Sequence, residues 1–179
     1  MKLINFTQST LSSAAFSGPT NHSSQLSEVT LVTAFFDIGS FQKGTEQIFA
    51  PSKYIEWIRA FEYIENPLYV YVDSEKYADI FRNIRRERYQ NRTKIIVLDR
   101  SKMWSFNIKQ NITEIFSNPK YPKYYPNTVL ADYSCAMHAK YEVVKKSIET
   151  NAFNTKYFAW IDVGYFRDDL EKKKLVVCS

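Results

Sequence analysis

The stretch Val29-Thr-Leu-Val-Thr-Ala-Phe-Phe36 runs straight into Asp37, with Gly39 two residues further on to permit a turn. A short apolar run of β-branched and aromatic residues, cut off by a charge and a turn signal, reads as a buried strand. Three later runs repeat the design: Leu68-Tyr-Val-Tyr-Val72 closes on Asp73, Lys94-Ile-Ile-Val-Leu98 on Asp99, and Tyr157-Phe-Ala-Trp-Ile161 on Asp162. Strands are therefore expected near 30–36, 69–72, 94–98 and 157–161.

The segments between them carry helical spacing. Pro51 suits the first position of a helix, and Tyr54, Trp57, Ile58 and Phe61 then fall on one stripe until Asn66-Pro67. Tyr77, Ile80, Phe81 and Ile84 form a second stripe, with Arg82, Arg85, Arg86 and Arg88 assigned to its solvated face. Asn111 and Glu114 have the spacing of a capping pair for a short helix through Phe116. Residues 118–127 read as a loop, and a longer helix is expected over about 129–151. The order β-α-β-α-β-α-α-β predicts an α/β fold: a mostly parallel sheet with helices on both faces. The domain is bounded at 29–168, after a polar leader (1–28) and before a charged tail (169–179).

Composition narrows the chemistry. A chain of 179 residues with 45% hydrophobic and 16% aromatic content can bury a core. Its four glycines form neither GxGxxG nor GxxxxGK[ST], so no glycine-rich phosphate loop is available. The net charge of +5 favours anionic ligands but is too mild to imply nucleic acid. The arginines between Arg82 and Arg92 read as a solvated helix face rather than a nucleic-acid patch. Cys135 and Cys178 make no metal pattern, and no run has the length of a membrane span. Sequons at Asn5, Asn21, Asn91 and Asn111 would matter only in a secretory compartment, so composition assigns no location.

In a parallel sheet, ligands bind beyond the carboxyl ends of the strands, where Asp37, Asp73, Asp99 and Asp162 would gather. Any one of them has a bland alternative, capping a turn; Asp162 is the one expected to meet a ligand or metal. A phosphatase Asp-x-Asp is missing at Asp37, which Ile38-Gly39 follow, and neither His22 nor His138 stands near a nucleophile motif. Trp57 and Trp160 read as core, and Tyr121, Tyr124 and Tyr125 as loop residues able to stack on a ring.

Several segments carry a resemblance. Thr30–Phe36, Trp57–Phe61, Asn66–Tyr71, Lys94–Ile96, Ala139-Lys140 and Trp160-Ile-Asp162-Val-Gly164 occur in the order that resembles the bacterial HtrL/YibB family, over roughly residues 29–168. Members of that family occur in lipopolysaccharide gene regions and look similar to nucleotide-sugar-dependent transferases of the GT-A type. The resemblance implies a nucleotide-diphospho-sugar as ligand, an unknown acceptor glycan, and a divalent cation, Mn²⁺ or Mg²⁺, holding the diphosphate. It assigns Asp162 to the metal or to the ribose. Lys140, 22 residues earlier, and Arg167 become diphosphate contacts, and Asp37 and Asp73 further ligand-binding groups on the same edge. Gly164 stands where the pattern has its second aspartate, which leaves Asp168 to reach back as a metal ligand. A complete transferase of this type would need about 70 further residues for an acceptor site and a base. A truncated chain is therefore expected to transfer no sugar by itself and to expose an apolar edge near Trp160. The alternative reading is a non-catalytic binding or interaction domain on the same scaffold.

Overall fold

The computed structural model describes residues 29–168; the leader and tail read from the sequence lie outside the described residues. The main sheet comprises β1 (Val29–Phe35), β4 (Leu68–Val72), β5 (Thr93–Val97) and β6 (Tyr157–Trp160). All pairings are parallel and the strand order is β5-β4-β1-β6. Each strand begins and ends within a residue or two of its expected position.

The alternation of side chains explains why β1 and β4 read as nearly continuous apolar runs. Leu31 and Phe35 of β1, with Leu68, Val70 and Val72 of β4, face one core; Val32 and Phe36, with Tyr69 and Tyr71, face the other. A strand covered on both sides has no face to leave polar. The first core is closed by α1 (Pro51–Ile58), a 3₁₀ turn (Arg59–Tyr63) and α2 (Glu75–Arg85), through Trp57, Ile58, Phe61, Tyr77 and Phe81. The second is closed chiefly by the long helix α5 (Ala131–Thr150), through Ala139, Val143 and Val144, with Met103 and Phe106 beside it. The fold is thus Rossmann-like in layering, with helices on both faces of a parallel sheet.

Three local expectations are corrected. The polar segment after β1 is not a plain loop: β2 (Phe41–Lys43) and β3 (Gln47–Phe49) pair as an antiparallel hairpin. Three-residue strands are too short to show a period, and Gly44, at φ 67°, supplies the turn. Asn111 does not open a helix. α3 (Trp104–Asn107) and α4 (Lys109–Ser117) precede and include it, and Glu114 accepts a hydrogen bond from Gln110 rather than closing a cap.

Arg85 is not on the solvated face. It is 1% exposed, and its guanidinium donates to the carbonyls of Phe61 (2.9 Å), Ile64 and Asn66 (3.2 Å) and to Thr93 Oγ1 (2.8 Å). It ties the end of the 3₁₀ turn and the start of β5 to α2. Burial lowers its pKa to about 10, so the group stays charged at neutral pH, stabilised by those acceptors. Its position was legible: Tyr77, Phe81 and Arg85 are successive i, i+4 positions of one helix face. Arg82, by contrast, is exposed and bonded to Glu75 and Asp79.

Candidate functional site

Because the four strands run the same way, their terminal aspartates share one edge of the sheet. Across it they follow the strand order: Asp99, Asp73, Asp37, Asp162. β1 is the strand at which the succession reverses, since β4 and β5 lie to one side of it and β6 to the other. The crevice outside the carboxyl ends at such a reversal is where open α/β sheets hold ligands, because the connections diverge there and leave the edge uncovered.

A cavity of about 140 Å³ opens at this place. The ends of β1 (Ala34, Phe35, Phe36) and β6 (Trp160) form its base, while Tyr54 and Trp57 of α1 and Tyr133 of α5 supply aromatic walls. Charged side chains arrive from separate elements: Lys43 from the hairpin, Lys140 from α5, and Asp162 and Arg167 from the turn after β6. Three of the residues singled out in the sequence, Lys140, Asp162 and Arg167, are therefore brought together, although 27 positions separate the first from the last. Asp162 is held by its own turn, where Oδ1 accepts the Gly164 N–H at 2.8 Å. Its Oδ2 has no hydrogen-bond partner among the described residues. Burial raises the pKa of Tyr54 and Tyr133, and the charge of Asp162 raises both further. Both hydroxyls are thus protonated at neutral pH and able to donate. Lys140 Nζ lies 5.0 Å from the centre of the Tyr141 ring. Arg167 Nε is 3.7 Å from Asp168, both side chains being about half exposed, an ion pair of little energetic weight.

Asp37 and Asp73 do not line this cavity. Asp37 accepts the Gly39 N–H at 3.0 Å and the Tyr77 hydroxyl. Asp73 accepts the Asp37 N–H at 2.9 Å, and Arg100 Nε approaches it to 3.4 Å while Arg100 Nη1 donates to the Asp37 carbonyl. The Asp73 side chain is 7% exposed and its Oδ1 has no hydrogen-bond partner among the described residues. Its burial raises its pKa, against the opposing pull of the Asp37 N–H and Arg100. Asp99 accepts from the N–H and hydroxyl of Ser101, which lower its pKa, and so caps the turn that follows. On this side of β1 the aspartates tie loops together.

The expected divalent cation finds few donors. A Cβ at Gly164 would stand 3.1 and 3.2 Å from Trp57 ring carbons and 3.3 Å from Asp162 Oδ1, so a side chain there would press on the Trp57 ring. Asp168 faces a neighbouring open groove of about 620 Å³, shared with Lys43, Glu46, Lys53, Trp57 and Arg167. Among the described residues no three or more His, Cys, Asp or Glu side chains gather as metal ligands. Hard cations take six or more oxygens in most protein sites. At phosphate sites such a cation takes most of its oxygens from ligand phosphates and water, and here Asp162, flanked by Lys140 and Arg167, is the single carboxylate lining the cavity.

Sequence reasoning missed Lys43, Tyr54 and Tyr133. Tyr54 belongs to the apolar stripe of α1 and so reads as core, yet it sits at the end of that stripe where the stripe meets the sheet edge. Lys43 lay in a segment with no readable period. Trp57 is core, at 3% exposure, and lines the cavity as well. Tyr124 and Tyr125, expected as stacking residues, are 68% and 51% exposed and stand away from it. The carbonyl of Tyr125 accepts the Gly44 N–H at 3.2 Å, docking that loop on the hairpin.

Fold and cleft together define an α/β protein with a crevice at the reversal point of a parallel sheet. The chain belongs to the HtrL/YibB family, described as bacterial proteins of unknown function, whose model matches residues 27–174. No curated protein and no solved structure matches it. Among the described residues, no helix is long and apolar enough to cross a membrane.

Proposed function

We propose that this protein is glycosyltransferase-like and binds a nucleotide-diphospho-sugar in the crevice between β1 and β6, in the service of surface-polysaccharide or glycoconjugate synthesis. The observation that carries the reading is the convergence of Lys140, Asp162 and Arg167 with Tyr54, Trp57 and Tyr133 at the reversal point of the sheet. Each chemical part of such a ligand meets a suitable group. The base or sugar ring packs on aromatic walls, the diphosphate meets basic side chains, and a hydroxyl of the ribose or sugar donates to Asp162 Oδ2. The Tyr54 and Tyr133 hydroxyls donate to ligand oxygens.

A thermal-shift series with uridine diphosphate sugars tests this. At about a hundred times the dissociation constant, binding to the folded state adds ~2.7 kcal/mol, a rise in melting temperature of about 5–10 °C. Asp162→Asn removes one charged acceptor and is expected to weaken binding about tenfold or more. A flat response to every nucleotide sugar sinks the proposal. A second reading, a binding domain without turnover, is favoured by the steric closure of Gly164 against Trp57. Binding without sugar release or transfer would select it.

A further inference from the structure

The basic groups at the crevice outnumber the acidic ones, and their partners are unequal. Lys43, Lys140 and Arg167 line the cavity against the single carboxylate of Asp162. Arg167 has an acidic neighbour in Asp168. Lys43 and Lys140 form no ion pair among the described residues, although Glu46 and Asp168 line the adjoining groove with Lys43; their ammonium groups lie over the rings of Phe49 (5.4 Å) and Tyr141 (5.0 Å). A ring face holds an ammonium group weakly and leaves its three donors open to an incoming acceptor. The three cations also come from three directions: the hairpin, the long helix, and the turn after β6. Chain segments distant in sequence thus deliver positive charge to one cavity, where an anion can meet more than one of them.

At the same place, a side chain at Gly164, from which a second carboxylate would complete a cation site, would crowd the Trp57 ring at 3.1–3.2 Å. Trp57 cannot easily give way. It is 3% exposed and packed against Phe49 at 5.9 Å and Tyr54 at 4.9 Å between ring centres.

We infer that Lys43, Lys140 and Arg167 hold the diphosphate of the ligand directly and take over the charge neutralisation that a divalent cation would otherwise supply. The inference rests on the proposed nucleotide-diphosphate ligand and deepens it. It assigns a role to Lys43 and gives the hairpin β2–β3 the function of bringing that residue to the crevice. The same reasoning explains why Asp162 survives as a lone carboxylate: with three cations around it, it is free to accept a hydroxyl.

Calorimetric titration of the full chain with uridine diphosphate, and separately with inorganic pyrophosphate, decides the matter when run once with excess EDTA and once with Mn²⁺. Uridine diphosphate is expected to bind in both conditions with affinities within about threefold. Lys43→Met and Lys140→Met are each expected to weaken binding in EDTA about tenfold or more, from the loss of a charge-assisted bond, with unchanged melting temperatures in the free protein. Pyrophosphate is expected to compete with uridine diphosphate for the cavity. Binding abolished by EDTA and restored by Mn²⁺ overturns the inference and leaves the proposed function standing. Binding in EDTA that neither lysine substitution weakens overturns it as well. Absence of binding in both conditions removes the nucleotide reading itself, and this inference with it.

Discussion

Two halves of one sheet edge carry the same sequence device and use it differently. On the β4–β5 side of β1, Asp73 is engaged with groups of the two adjoining loops, the Asp37 N–H and Arg100, while Asp37 holds Gly39 and Tyr77 and Asp99 caps its own turn through Ser101. On the β6 side, Asp162 spends one oxygen on its turn and presents the other to a cavity. The difference lies in topology rather than in the aspartates. β1, β4 and β5 follow one another in a single direction, so their loops stack side by side and satisfy each other. β6 enters on the far side of β1 after a long helix, and the two sets of loops part there. A strand-end carboxylate therefore ties loops together where neighbouring loops converge and lines a cavity where they diverge.

Substitution on the structural side is expected to have the largest effect on folding. Asp73→Ala strands the Asp37 N–H and removes the acceptor of Arg100, at a cost of about 2–3 kcal/mol, or a melting temperature lower by about 5–10 °C. Nucleotide affinity should be little changed in the folded fraction. The same residue gives a pH test. Burial raises the Asp73 pKa in the folded state above its ordinary value of 3.8, so the folded state holds that proton more tightly than the unfolded state does. The contribution of Asp73 to stability is then greatest below the ordinary carboxylate range and declines as pH rises through the raised folded value. Asp73→Asn does not titrate. Urea unfolding should find its stability relative to the unsubstituted protein improving as pH rises from about 4 towards 7. A difference independent of pH would show that the carboxylate is not held against burial, and the contrast between the two halves would lose its electrostatic part.

Gly164→Ala sharpens the comparison from the ligand side. Its methyl group meets the Trp57 ring at 3.1–3.2 Å, which is expected to cost about 1–2 kcal/mol of stability by overpacking and to weaken binding by displacing an aromatic wall. Unaltered stability and affinity would show that Trp57 has room to move, and the steric argument against a second carboxylate would fail with it.

The smallest stability effects are expected from Asp99→Ala and Asp162→Asn. Asp99 is exposed and caps a three-residue turn, so its loss should lower the melting temperature slightly and leave binding alone. Asp162→Asn keeps an acceptor for the Gly164 N–H and is expected to alter stability by no more than about 0.5 kcal/mol while weakening ligand binding. If Asp162→Asn proved as damaging to folding as Asp73→Ala, the two halves of the edge would have to be read alike.

Much of the framework could be read from residues in order. The apolar runs ending at Asp37, Asp73, Asp99 and Asp162 place the strands because burial on both faces demands apolar residues without interruption. The helical stripes at Tyr54–Phe61 and Tyr77–Ile84 place two of the covering helices for the same reason. Lys140, Asp162 and Arg167 were within reach because they stand near one recognisable strand. Other features exist only once the chain is folded. The i, i+4 spacing with Tyr77 and Phe81 places Arg85 on the buried face, but the three backbone carbonyls and Thr93 that receive its charge are assembled only by folding. Lys43, Tyr54 and Tyr133 come from unrelated segments, and only the packing of hairpin and helices against the end of β1 makes them neighbours. Which of the four aspartates faces outward was settled by strand order, because a local sequence records that a strand ends in a carboxylate but not which loops will lie beside it.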